Sequence, residues 1–202
     1  MSDLGNDRGA MKQSSIPDHA SRVTHHVSAF AIWVTGLPAS GKSTIVAALK
    51  PKLEGLGLTV EVLESDAVRR LITPVATYAQ AERDQFYRAV AFVGARLVAH
   101  GVTVVFDATA NRRAYREFAR HLIPRFLEIS VDCPLNVCMD RDKKGTYQKG
   151  ARGESSTVPG LQEPYEISLN PDLLIDATKT TPENAADRIL SVVRERMIIS
   201  PS

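Results

Sequence analysis

The amino-acid sequence predicts an α/β fold: a five-stranded parallel sheet with helices on both faces and a basic lid loop. Three observations predict it. Short apolar runs alternate with helical patterns along the chain, as in β–α–β units joined by right-handed crossovers. A glycine-rich stretch, Gly36-Leu37-Pro38-Ala39-Ser40-Gly41-Lys42-Ser43-Thr44, joins the first apolar run to the first helical pattern. Residues 143–171 hold Gly, Pro, Ser and Lys without a hydrophobic period, and a loop this long inside a compact domain is usually functional.

Each element has its own warrant. Phe30-Ala31-Ile32-Trp33-Val34 reads as a buried strand, and Thr44 to Leu49 as the helix after the glycine loop. Pro51 should end or bend that helix, because it lacks an N–H and its ring crowds the preceding turn. Leu58 to Leu63 is strand-like. A long helix spans about Ala79 to His100, with an apolar stripe at Phe86, Val90, Val93 and Leu97 spaced 4, 3 and 4 residues. Val102 to Phe106 is apolar and rich in β-branched residues, which suits a central strand. Asn111 to Leu122 is helical, Phe126 to Val131 a strand, and Asn136 to Asp142 a helix. Leu173-Leu174-Ile175 gives the last strand and Pro182 to Arg196 the closing helix.

A chain of 202 residues can bury one real core. The expected organisation is a flexible N-terminal extension over residues 1–28 and one domain over 29–198. The extension is polar and lacks the apolar segment of a secretory signal. Its His25-His26 pair reads as solvated linker more readily than as a metal site. No apolar stretch reaches the ~18 residues of a membrane helix. Cys133 and Cys138 are spaced as neither a redox pair nor a zinc half-site, so reduced buried thiols and a cytoplasmic location are expected. The net charge of +2 excludes a nucleic-acid coat over the whole surface. Residues 141–152, however, hold Arg141, Lys143, Lys144, Lys149 and Arg152 against Asp142 alone. A basic loop of that kind points to a small anionic ligand rather than a duplex.

The glycine loop has the Walker A spacing G-x-x-x-x-G-K-S, in the strand–loop–helix context the motif needs. Its glycines let backbone N–H groups cradle phosphate oxygens, and the helix N-terminus adds positive partial charge. Lys42 can reach the β- and γ-phosphates, and the Ser43 hydroxyl can ligate Mg²⁺. ATP with Mg²⁺ is therefore the expected donor. Ligands of a parallel sheet sit at the carboxyl ends of its strands, which directs attention to Asp66, Arg69 and Asp107. Asp66 can accept a proton from a hydroxyl or hold Mg²⁺ through water, or simply cap a helix. Arg69, three residues on, can bind an anion bidentately. Asp107 stands where a Walker B type aspartate would meet Mg²⁺, or where an aspartate would start a turn. Arg112, Arg116 and Arg120 share a helix face that reads as solvated charge.

From residue 133 onward the chain resembles a known family. Cys133-Pro134-Leu135-Asn136-Val137-Cys138, then Arg141-Asp142, Lys144-Gly145, Tyr147 and Lys149, then Gly153-Glu154, Gly160 and Pro164-Tyr165-Glu166 resemble adenylylsulfate (APS) kinases. The resemblance extends from Trp33 to about Leu190 and includes Asp66-Ala67-Val68-Arg69 and Glu82-Arg83. It implies a P-loop kinase fold. It also implies transfer of the γ-phosphoryl of ATP to the 3′-hydroxyl of adenylylsulfate, giving PAPS and ADP. Lys42, Asp66 and Lys144 would be catalytic, with Ser43, Asp66 and Asp107 on the Mg²⁺ side. Arg141 would lie near the ATP adenine. Arg69, Tyr78, Arg83, Lys144 and Lys149 would meet the acceptor, with Phe86 and Val158 at two further acceptor positions. Partners would be small-molecule nucleotides, with a homodimer expected because the family is commonly dimeric.

Departures from the family pattern gather on the acceptor side. Glu64-Ser65 replace a family Asp-Gly, Phe86 an Asn, Ala110-Asn111 a Ser-Pro, and Asp107 a small residue. An aromatic opposite Tyr78 becomes Val158, a nearby lysine becomes Ser156, and the lid arginine shifts to Arg152. A lost aromatic stack weakens base binding by ~1–3 kcal/mol. The sequence therefore leaves open a kinase of the same fold acting on another hydroxyl, in a nucleotide-linked small molecule or a nucleic-acid 5′ end. The Phe106-Asp107-Ala108-Thr109 stretch with Asn111-Arg112-Arg113 resembles such kinases over about a dozen residues.

Overall fold

A computed structural model describes residues 28–197. The extension expected over residues 1–28, with His25-His26, lies outside the described residues except for Ser28. The elements run β1 Ala31–Gly36, α1 Lys42–Glu54, β2 Val60–Glu64, α2 Ser65–Ile72, α3 Gln80–Ala99 and β3 Thr103–Asp107. They continue α4 Arg113–Leu122, β4 Phe126–Asp132, α5 Leu135–Asp140, α6 Thr146–Ala151, β5 Leu173–Asp176 and α7 Pro182–Met197. The five strands form one parallel sheet in the order β2-β3-β1-β4-β5. The order turns back on either side of β1, so crossovers leave from both sides of the central strand and open a crevice at its carboxyl end.

Strand periodicity divides the core in two. Ile32 and Val34 of β1 join Ile45 and Leu49 of α1 and Ile189 of α7 on one face. Ala31 and Trp33 join Phe86 and Val90 of α3 and Ala119 of α4 on the other. Trp33 stacks on Phe106 with ring centroids 4.5 Å apart and donates its indole N–H to the Ala108 carbonyl at 3.2 Å. Register then aligns the strand ends. Gly36 pairs with Val131, Glu64 with Asp107, and Asp132 with Asp176. Four of the five strands thus end on a carboxylate at the same edge, and the fifth ends on the glycine that opens the loop.

The structure departs from the sequence reading in four places. Helix α1 passes through Pro51 and ends only at Glu54. Residues 65–72, read only as a post-strand segment, form α2, and the lid contains the one-and-a-half-turn α6. The buried stripe of α3 is Phe86, Tyr87, Val90, Ala91 and Gly94, while Val93 is 43% exposed. A glycine on the buried face carried no hydrophobic signal, yet it is where Phe106 meets the helix. Finally, Arg116 is not solvated. It is 1% exposed, with its Nε 2.8 Å from Glu128 and its other nitrogens donating to the carbonyls of Ala110 and Glu166. Glu128 also faces Arg120 at 3.3 Å, so a buried charge network ties α4 to β4 and to the end of the lid.

Gly94 supplies a direct test of the packing. A Cβ there would overlap the Phe106 ring, which is already stacked on Trp33. Glycine-to-alanine in a helix normally gains about 1 kcal/mol. Here overpacking should reverse the sign, and Gly94→Ala should destabilise the domain by ~1–3 kcal/mol in urea unfolding. A more stable variant would contradict this account of the α3–β3 contact.

Candidate active site

The glycine loop folds as it does because of what lies beneath it. Gly36 has φ 154°, and a Cβ there would come within 2.6 Å of the Val131 carbonyl and 2.9 Å of Ser40 Oγ. Only glycine lets β1 turn so close over β4. Gly41, with φ 98°, then caps α1. The outcome is an N-terminus of a thirteen-residue helix facing a cleft, with its first-turn N–H groups free of intrahelical partners. Lys42 is 7% exposed and donates to the carbonyls of Gly36 at 3.0 Å and Leu37 at 2.8 Å. Burial pushes its pKa below the ordinary lysine value, and the negative charges of Asp107 and Asp66 oppose that shift. Phosphate charge near this ammonium would oppose it further. Ser40 Oγ, at the loop's centre, is buried without a hydrogen-bond partner among the described residues.

The cleft has a volume of about 1260 Å³ and is lined by residues from Pro38 to Ile45, from β2–α2, from the segment before α3, and from the lid. That exceeds the ~300–1,000 Å³ of a site for one small ligand, which leaves room for two nucleotides. Lys42, Ser43, Thr44, Asp66, Arg69, Tyr78, Arg83, Asp107, Arg141, Lys144, Lys149 and Val158 all line it. Phe86 does not. It is 1% exposed and lies 3.8 Å beneath the Arg69 guanidinium, which it supports from the core. Val158 reaches the cleft edge, but it is 4% exposed and packs with Cys133, Cys138 and Tyr147. It offers no open face for a base to stack on.

Several cations of the cleft are held by oxygen acceptors. Lys144, on the lid, donates to Asp66 at 2.7 Å and lies 3.9 Å from Glu64. The hydrogen bond to Asp66 holds the Lys144 pKa above its ordinary value. Arg69 pairs with Glu82 at 2.9 Å and sits 4.8 Å from the Tyr78 ring centre. Thr77 donates its amide and hydroxyl to Glu82, each at 2.7 Å, and these bonds keep the carboxyl below its usual range. Arg141 donates to the Ala177 carbonyl at 3.2 Å, at the end of the cleft bordered by Thr180 and Pro182. Of the basic loop, Arg141, Lys143, Lys144 and Lys149 face the cleft, whereas Arg152 pairs with Glu154 at 3.6 Å.

Other residues of the site were not legible as such. Tyr147 donates its hydroxyl to the Pro38 carbonyl at 3.1 Å, and Gly160 leaves room for Leu37, whose Cδ2 would stand 2.7 Å from any Cβ. These two contacts seat the lid on the P-loop. Tyr165 meets Thr35 at 3.0 Å and Asn111 donates to the Pro164 carbonyl at 3.2 Å, anchoring the lid's return. Tyr147, Gly160, Tyr165 and Asn111 stand out in the sequence only by their place in motifs, because their partners, the Pro38 carbonyl, the Leu37 side chain, the Thr35 hydroxyl and the Pro164 carbonyl, lie 50 or more residues away.

Comparison with known proteins agrees with this geometry. The adenylylsulphate kinase family model matches residues 28–176. A probable adenylyl-sulfate kinase of Archaeoglobus fulgidus is 40% identical over 150 residues, covering 74% of this chain and 97% of that protein. An adenylyl-sulfate kinase of Microcystis aeruginosa is 37% identical over 164 residues, covering 81% and 91%. Among solved structures, the Mycobacterium tuberculosis APS kinase in complex with AMPPNP and APS superposes with a TM-score of 0.78 at 28% identity, covering 83% of this chain and 98% of that one. A shikimate kinase from Aquifex aeolicus, at 14% identity and a TM-score of 0.53, shares the fold alone. With the family model matched over most of the domain and relatives above one-third identity along nearly their whole length, the chain belongs to the adenylylsulphate kinase family.

Proposed function

We infer that this protein transfers the γ-phosphoryl group of ATP to the 3′-hydroxyl of adenylylsulfate, giving PAPS and ADP. The observation that carries this reading is the convergence of Lys42, Asp66, Arg69 and Lys144 on one cleft in a chain of that family. The P-loop amides and Lys42 bind the β- and γ-phosphates, Lys42 exchanging the Gly36 and Leu37 carbonyls for phosphate oxygens. Arg141 borders the adenine end of the ATP site. Arg69 turns from Glu82 towards the acceptor's anionic group. Tyr78, beside it, gives one aromatic face to the acceptor base, and Lys149 adds positive charge from the lid.

In the transfer, Asp66 accepts the proton of the 3′-hydroxyl. The hydroxyl oxygen forms the new bond to the γ-phosphorus, and the bond to the ADP oxygen breaks in line. Lys42 and Lys144 stabilise the charge on the transferring group. Lys144 must first move from Asp66 to the phosphate, which frees the carboxylate to act as base. Two lid contacts, Tyr147 to Pro38 and Gly160 to Leu37, keep water from the γ-phosphate while this happens.

The residues at the P-loop end fit Mg²⁺. They are hard oxygen donors: the Ser43 hydroxyl and the carboxylates of Asp66 and Asp107. Asp107 is 4% exposed and makes no side-chain hydrogen bond among the described residues. Bound there with ATP, Mg²⁺ neutralises charge on the phosphates and orients them.

The reading is tested by ADP release from Mg-ATP with adenylylsulfate as acceptor. Saturable, acceptor-dependent release should occur, and Asp66→Asn should lower kcat by about 100- to 10,000-fold while AMPPNP still binds. Unchanged turnover in that variant would remove Asp66 from the chemistry, and release indifferent to adenylylsulfate would overturn the acceptor. Separately, Asp107→Asn should weaken Mn²⁺ binding to the AMPPNP complex by about tenfold in electron paramagnetic resonance titration. Equal affinity would take Asp107 off the metal side.

A further inference from the structure

Helix α3 sends two side chains to the wall of the cleft, Arg83 and Tyr87. The phosphoryl transfer leaves Tyr87 without a task. Its ring is 5% exposed and stacks on Tyr115, with centroids 4.4 Å apart. It also meets the Phe86 ring edge-on at 5.3 Å and the Trp33 ring at 6.3 Å. Three aromatic neighbours thus fix the ring, and a phenylalanine would fill the same space.

The hydroxyl is what the packing does not explain. Its oxygen accepts the Ala110 N–H at 3.1 Å. Ala110 has a left-handed φ of 42°, and its carbonyl accepts from the buried Arg116, so the group that ties down the Tyr87 hydroxyl is itself held. A phenol also has one proton to give. Among the described residues no acceptor takes it. Burial pushes the Tyr87 pKa above the ordinary tyrosine value, while the Ala110 bond and the charges of Arg69 and Arg83 oppose that shift. The hydroxyl therefore keeps its proton at neutral pH. Buried donors are seldom left unpaired, and the space this one borders is the cleft, which Tyr87 lines together with Asp66, Arg69 and Thr109.

We propose that Tyr87 is an acceptor-binding residue whose hydroxyl donates to an oxygen of the acceptor's phosphosulfate group, alongside the cations Arg69 and Arg83. The naming of that group rests on the proposed function. An anionic oxygen has lone pairs for more than one donor, so it can accept from a guanidinium and a phenol together. The cations supply charge. The phenol supplies a directed contact without adding charge, and its ring is already locked, so little freedom is lost when the ligand arrives. The contact favours a nucleotide that carries the anion over a nucleoside that lacks it.

Isothermal titration calorimetry on the full chain, with the ATP site saturated by AMPPNP, tests the contact with two probes. Adenosine has the base and ribose of adenylylsulfate without the anion. Tyr87→Phe should weaken adenylylsulfate binding about 10- to 100-fold, the loss of a hydrogen bond to a charged group, and leave adenosine within about twofold of the parent. In kinetics the same variant should raise KM for adenylylsulfate with kcat at saturation nearly unchanged, because the contact is present before and during transfer. Tyr115→Phe removes the other hydroxyl of the stacked pair, which bonds instead to Asp84 and Gln80, and should bind both probes as the parent does. Parent-like AMPPNP affinity and thermal midpoint in Tyr87→Phe establish that the domain is folded. Equal weakening of adenylylsulfate and adenosine overturns the proposal, because that is the effect of a shifted Ala110 loop rather than of a lost contact. Unchanged adenylylsulfate affinity in Tyr87→Phe overturns it as well. If the parent itself binds no adenylylsulfate, the acceptor reading fails and the contact falls with it, a result that the parent titration alone distinguishes from the other two.

Discussion

The site depends on one close approach: Gly36 passing over the Val131 carbonyl at the end of the central strand. That contact sets the height of the P-loop above the sheet. From it follow the direction of α1, the burial of Lys42 against the Gly36 and Leu37 carbonyls, and the platform on which Tyr147 and Leu37 seat the lid. A side chain at position 36 would meet backbone, which cannot give way as a flexible side chain can. The parallel register contributes the rest, because it brings Glu64 and Asp107 to the same edge.

A second theme is charge held in reserve. Lys42, Lys144 and Arg69 each satisfy their donors with protein oxygens: two carbonyls, Asp66 and Glu82. A buried cation such as Lys42 or Arg69 left unpaired would cost several kcal/mol, so their partners keep the cleft folded, whereas Lys144 is 69% exposed and its pair with Asp66 adds little to folding. The oxygen partners are also replaceable. Phosphate oxygens can replace them and carry more charge than a carbonyl, so substrate binding exchanges one set of oxygen acceptors for another.

The fold was largely legible in the sequence because its signals are local. Alternation of short apolar runs with helical patterns, and the glycine loop between the first two, identified all five strands to within two residues at their starts. Helix α3 was legible in extent but not in face, since Gly94 packs against Phe106 without being hydrophobic. Arg116 was misread for the same kind of reason: helical spacing reports a face but not whether Glu128 lies opposite it. At the site, the P-loop residues and Asp66, Arg69 and Lys144 were readable from spacing and resemblance. Phe86 and Val158 were not, because whether an apolar residue faces a cleft or the core beneath it depends on packing between elements.

The central claim is that phosphoryl is delivered to a hydroxyl of adenylylsulfate and not to water. Phosphorus NMR of the products formed from Mg-ATP and adenylylsulfate tests it most directly. The account predicts a new phosphomonoester resonance at the 3′ position, an intact phosphosulfate, and ADP in equal amount. Orthophosphate accumulating with ADP, and no phosphomonoester, would contradict it.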